Sequence, residues 1–308
     1  MVALVILAIG AGNGWFAVQV TPTVPPMAEG ITTPTNSAQI TLFPTETSLP
    51  IPTAAPTLGI GSTQVSSVDG MMMVYVPAGD FLMGSPDGVG SDDEHPQHTV
   101  YLDAYWIDRT EVTNDMYEKC VAAGSCTPPL DISSYTRSSY YGNTDYDNYP
   151  VVYVDWNQAQ TYCRWAGREL PSEAQWEKAA RGTDGRIYPW GNQEPTNLAN
   201  FNQNVLGSPE GGTVEVISFL AGASPYGALN MAGNVSEWLK DWYSESYYSQ
   251  CPTNNPTGPV SGDYRSLRGG SYAGWGSMVN STFREREDPS FGLDYLGIRC
   301  SLSASVSP

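Results

Sequence analysis

Apolar and polar positions divide the 308-residue chain into three regions. Met1 to Val20 carry no charge, and Val2 to Ala11 are almost wholly apolar. A run of about twenty such residues is long enough to cross a bilayer, so 1–20 is expected to be a membrane anchor or signal-like segment. The positive n-region usual in a secretory signal is missing. Residues 21–68 are rich in Thr, Pro, Ser and Ala, with too few large apolar side chains for a core, and read as a disordered stalk. Regular periodicity begins near Asp69, and the folded domain is expected over 69–303, with a tail at 304–308. Met72–Val76, Phe81–Ser85, Thr99–Leu102 and Pro150–Val154 have strand character. Three helices are expected, each with a start signal. Thr113 caps one running to about Ala123, and Gly124 stops it. Asp155 caps a second, with Ala159, Tyr162, Cys163 and Ala166 at helical spacing and Gly167 at its end. Ser172 and Gln175 form a capping box for a third, which ends before Gly182.

Composition narrows the function classes. A net charge of -18 with only 14 Lys and Arg excludes a nucleic-acid partner, because phosphate neutralisation needs clustered cations. Abundant Gly, Pro and Tyr suit an irregular, loop-rich α+β fold better than a helical bundle. No glycine-rich phosphate loop or dinucleotide fingerprint occurs. An anchor, a stalk and a compact domain make a plan for surface display, with the domain outside the cytoplasm, either membrane-anchored or secreted. In that setting Cys120 and Cys126 read as a local disulfide, with a metal pair as the alternative. His95 and His98 are the only histidines, and Pro96 places them in a loop entering a strand rather than on one helical turn. Residues 127–149 read as a tyrosine-rich surface loop, and 284–288 as a solvated or salt-bridged charged face.

One stretch gathers oxygen donors: Asn230-Met231-Ala232-Gly233-Asn234-Val235-Ser236-Glu237-Trp238. An amide, a carboxylate and carbonyls exposed at the Gly233 turn are the donors a hard cation such as calcium takes, roughly six to eight oxygens at a time. The plainer reading is a glycine turn leading into a strand that buries Trp238 and Trp242.

Gly233-Asn234-Val235-Ser236-Glu237-Trp238 resembles the GN-(V/A)-x-EW signature of the formylglycine-generating enzyme family, also called sulfatase-modifying factors. The resemblance runs in order from about Asp69 to Leu302. It takes in Met73 to Ser85, the segment from Trp106 to Asn114, Arg268-Gly269-Gly270-Ser271-Tyr272 and Gly297-Ile298-Arg299-Cys300. Its strongest stretch is Pro150 to Gly182, with Trp165-Ala166-Gly167-Arg168-Glu169-Leu170-Pro171 at its centre. The resemblance implies a fold similar to a C-type lectin. It implies a calcium held by the Asn230 side chain, the Gly233 and Val235 carbonyls and the Glu237 carboxylate, and a second at Asn200 and the Phe201 carbonyl. It also implies a Cys163–Cys300 disulfide, which leaves Cys251 unpaired. Family enzymes oxidise a substrate cysteine with oxygen on a copper held by two cysteines just after G-G-S-Y. Here those positions are Gly274 and Val279, so copper is not expected and no catalytic residue is assigned. Ala180 stands where a second internal disulfide would have a cysteine. The H-x-x-x-H-x-E ligand set of iron-dependent sulfoxide synthases, which share part of the fold, is missing as well.

These observations favour a non-catalytic, calcium-stabilised binding module. Tyr272, Trp275, Arg284 and Tyr295 would form its recognition surface for a protein, peptide or glycan. The alternatives are an oxygen-dependent oxidoreductase of altered mechanism and a retroelement-diversified variable binding protein.

Overall fold

The computed structural model describes residues 57–201 and 211–304. The expected anchor at 1–20, the stalk up to residue 56 and the end of the tail lie outside the described residues. Among the described residues no helix is long and apolar enough to cross a membrane.

Folded structure starts ahead of Asp69. Strand β1 (Thr63–Val65) turns back at Gly70 and pairs antiparallel with β2 (Met72–Val76). The sheet continues through β5 (Tyr105–Asp108) to β10 (Ser301–Ser303), so the first and last strands share it. A separate hairpin joins β3 (Gly79–Met83) to β4 (His98–Leu102). The third sheet has the order β8 (Glu285–Glu287), β7 (Arg265–Arg268), β6 (Ser236–Trp242), β9 (Leu296–Gly297), with β6 and β9 parallel.

All three helices form with the expected caps. Helix α1 (Asn114–Ala122) starts where the Thr113 hydroxyl accepts the Met116 N–H. Helix α2 (Trp156–Trp165) is capped by Asp155, and α3 (Glu173–Arg181) by the Ser172–Gln175 box. Helix α2 buries Trp156, Ala159, Tyr162 and Cys163 along one face. Helix α3 is enclosed nearly all round, and its buried face includes Glu173, Glu177, Lys178 and Arg181. Both expected disulfides are formed, Cys163–Cys300 and Cys120–Cys126, and Cys251 is free.

Two expectations change. Pro150–Val154 is not a strand, although it is extended and buried in an apolar setting. The Val151 N–H goes to Val112 and the Tyr153 N–H to Leu293, while the Tyr153 carbonyl accepts from Leu130. Tyr153 also has φ 58, which breaks any ladder. Residues 127–149 are not purely a surface loop. The Tyr140 ring is wholly buried, its hydroxyl donating to the Pro150 carbonyl at 2.6 Å, and the Arg137 guanidinium lies against Tyr140, Tyr146 and Tyr149.

Candidate functional site

The Asn230–Trp238 turn is held by residues distant in sequence. Asn230 and Asn234 both have positive φ, at 52 and 65, a region asparagine tolerates better than most. Gly233 has φ 77, and a Cβ there would lie 2.2 Å from the Asn200 carbonyl oxygen, so only glycine fits. Asn230 Nδ2 donates to Glu111 (2.8 Å) and to the Val216 carbonyl (3.0 Å), and Asn234 Nδ2 donates to the other Glu111 oxygen (2.8 Å). Asn234 Oδ1 accepts from Val214 and from Asn200. Burial pushes Glu111 up to about 7, with Arg299 opposing and Glu237 adding to the rise.

Glu237 faces Arg299. Its Oε1 accepts from Nε and Nη2 at 2.9 and 2.7 Å, and its Oε2 accepts from Arg299 Nε and Trp176 Nε1 at 2.8 and 2.6 Å. A carboxylate has about four lone-pair sites. Three N–H donors, Arg299 Nε shared between both oxygens, Arg299 Nη2 and Trp176 Nε1, hold both oxygens against the guanidinium, so Glu237 as placed does not fit the role of a calcium ligand. A cation at this turn would have to rely on the Asn230 side-chain oxygen and main-chain carbonyls. Val235 is buried beside Tyr140 and Val152. Asn200 donates to the Gly212 carbonyl, while Phe201 packs with Tyr188, Ala199, Ala232 and Val279. Among the described residues no three His, Cys, Asp or Glu side chains are placed to share a metal.

Arg284 is a correction. It is buried rather than part of a surface, donating to Glu173 at 2.7 and 3.0 Å and to the carbonyls of Asp93 and Ser244. Arg268 joins the same cluster through Glu173 and Glu177. Burial opposes ionisation of Glu173, but Arg284 and Arg268 outweigh it and hold its carboxyl at about 2. Desolvation of two arginines inside the fold is balanced only by these partners.

The other three expected surface residues lie on the 271–297 segment. Gly270 turns the chain at φ 64, where a Cβ would sit 2.4 Å from the Met278 carbonyl oxygen. Beyond it Tyr272 and Tyr295 line a cavity of about 330 Å3 together with Tyr135, Phe201, Asp294 and Ala273. The Tyr272 hydroxyl donates to Asp294 at 2.9 Å, and the Tyr135 ring stands 6.2 Å from that of Tyr272. Trp275 does not line this cavity but stands exposed nearby in sequence. Gly274 follows the cavity wall directly, and Val279 is fully enclosed in the Phe201 cluster. Ser271 accepts the Ala273 N–H, while His95 and His98 face the Val89 carbonyl and the Tyr248 ring. The free Cys251 thiol is pushed up to about 11 by burial.

Sequence reading missed Glu111, Arg299, Tyr135 and Asp294. Arg299 lies inside the Gly-Ile-Arg-Cys signal, which carried its importance without its partner. Glu111 likewise lies inside the Trp106–Asn114 signal, whereas nothing local marks Tyr135 or Asp294.

A family model for the sulfatase-modifying factor enzyme 1-like domain matches residues 61–304. A formylglycine-generating enzyme from Streptomyces coelicolor is 35% identical over 285 residues, covering 76% of this chain and 90% of that protein. The serine/threonine-protein kinase pkn1 of Chlamydia caviae is 32% identical over 74% of this chain, which spans only 37% of the kinase. Among solved structures, Treponema denticola variable protein 1 superposes with a TM-score of 0.65 at 26% identity, over 79% of this chain and 99% of that one.

Proposed function

This chain belongs to the sulfatase-modifying factor enzyme 1-like family, and within it we propose a non-catalytic binding module whose ligand seats in the tyrosine-lined cavity beside Tyr272. The observation that carries this is the pair Gly274 and Val279, where the resemblance places the two copper-binding cysteines. Neither residue offers a soft ligand, and four of the five cysteines are tied in disulfides. The scaffold keeps its glycine turns and a concave, half-aromatic cavity, which suits recognition. Two disulfides also support a domain outside the cytoplasm. Calcium takes no part in the proposal, since Glu237 is committed to Arg299.

The test is turnover. The purified full-length chain is given copper, oxygen and a cysteine-containing peptide, and oxygen uptake and peptide mass are followed. The expected result is no uptake and an unchanged peptide. Conversion of the cysteine to an aldehyde would overturn the proposal in favour of the oxidoreductase reading, which draws on the 35% identity to an enzyme. The likeness to a protein named variable supports a further possibility, diversification between Gly270 and Gly297. Uniform codons for that segment across many cells would remove it.

A further inference from the structure

A second cavity, of about 380 Å3, shares no lining residue with the tyrosine cavity. It exists because one edge of a sheet is only half covered. Arg168-Glu169-Leu170-Pro171 links α2 to α3 and bridges β10 at a single point. There the Glu169 N–H donates to the Ser301 carbonyl at 2.9 Å, and the Ser301 N–H to the Glu169 carbonyl at 2.7 Å. Residues 300 and 304 bond towards the β5 side, so the alternation of an antiparallel ladder turns the main chain of Ser301 and Ser303 the other way. Opposite Ser303 the covering segment would need Gly167, but there the chain is still leaving α2, at φ 74. The edge at Ser303 therefore opens onto the cavity, with Pro256 and Thr257 also in its wall.

The lining carries donors that lack acceptors. Arg168 is 3% exposed, with Nη2 held by Asp69, and its Nε has no hydrogen-bond partner. Gln175 Oε1 accepts from the Ser172 N–H and the Ser301 hydroxyl, which leaves the Nε2 amide without a partner. Lys240 Nζ gives Glu169 one N–H, at 2.6 Å, of the three an ammonium carries. Both members of that pair are well exposed, and such a pair holds weakly, so Lys240 is free to turn to another anion. Against these donors stand the buried side chains of Leu102, Leu170 and Pro256, an apolar floor. A concave site with an apolar floor and a few convergent polar groups is the usual form of a small-molecule site.

We propose that this cavity is a second binding site, for a small organic carboxylate with a short apolar body. The carboxylate meets Lys240, Gln175 and Arg168, and the body lies on Leu102, Leu170 and Pro256. The inference goes beyond the binding-module reading and does not depend on it.

Calorimetry on the full-length chain tests it with isocaproate, its neutral isostere isocaproamide, and leucine, which adds an ammonium group. Saturable binding of isocaproate is expected, with the amide at least about tenfold weaker. Lys240→Gln should weaken isocaproate binding about tenfold at an unchanged melting temperature, because the exposed pair with Glu169 contributes little to folding. Ser303→Trp, at an exposed position on the rim, should abolish binding by filling the mouth. Tyr135→Ala, in the other cavity, should leave it unchanged. Leucine binding tighter than isocaproate, with the advantage removed by Glu169→Gln, identifies a free amino acid as the source, whereas weaker binding identifies a simple acid. Equal binding of the amide, indifference to Lys240→Gln or to Ser303→Trp, or no saturable binding at millimolar concentration would each overturn the inference. Loss of binding in Tyr135→Ala would overturn it too, by moving the acid to the tyrosine cavity. Peptide-cysteine oxidation would sink the module reading and leave this site untouched.

Discussion

Asp241 is buried against helix α3, where its carboxylate accepts the Glu173 N–H at 3.1 Å. Burial, and then the charge of Glu173, push it up to about 8. An unfolded aspartate titrates near 3.9. Between these two values the native state holds a proton that the unfolded chain has released, so stability falls as pH rises from about 4 to about 8. Glu173, held at about 2, acts in the opposite sense: its contribution is present above about 4.3 and is lost as pH falls towards 2. Asp241→Asn removes the first slope. Urea unfolding at pH 5 and pH 8.5 should show the variant gaining on the parent by at least about 1 kcal/mol, the equivalent of less than one pKa unit. Parallel curves would mean that Asp241 is charged in the native state. Glu237 shows the limit of local reading. Its position in a donor-rich turn suggests a cation, and the cation it meets is Arg299, 62 residues away. The residue types were legible in the chain, but their pairing depends on how β6 and the Arg299 segment come together.

Helices were the most legible elements, because what starts and stops them lies within a few residues. Thr113, Asp155 and Ser172 each accept an N–H of the first turn, and Gly182 with φ 71 terminates α3. Ser172→Ala should lower unfolding stability by about 1 kcal/mol, read as a shifted urea midpoint at unchanged slope. A change below the measurement error would mean that burial of α3 makes its cap redundant. Strand reading fared worse where partners are many. Pro150–Val154 has the apolar run of a strand, yet its hydrogen bonds go to Val112, Leu293 and Leu130 in turn. The charged run at 284–288, read as a solvated or salt-bridged face, divides between the two. Arg284 points inward to Glu173 on α3, while Arg286 of β8 is exposed, and alternation along a short strand gives no sign of which charge is buried. The tyrosine cavity was legible in half: Tyr272 and Tyr295 flank signature motifs, whereas Tyr135 and Asp294 arrive from loops without a pattern.

The described part of the molecule is closed by its first and last strands. Sheet β1-β2-β5-β10 brings the first and last strands together, and the Cys163–Cys300 disulfide ties α2 to the residue just before β10. That bond spans 137 residues, against 6 for Cys120–Cys126. If disulfides act mainly by restricting the unfolded chain, the long loop is worth about 5 kcal/mol and the short one about 2 kcal/mol. The long one has a second consequence. Cys300 follows Arg299 directly, and its N–H donates to Asp108 at 2.9 Å, so the bond also steadies the guanidinium that neutralises Glu237. Cys163→Ala/Cys300→Ala should therefore lower unfolding stability by more than Cys120→Ala/Cys126→Ala, each measured by urea unfolding against the parent chain. The opposite order would contradict the loop argument, and would place the greater constraint in the short loop after α1 rather than in the clasp between the chain's two halves.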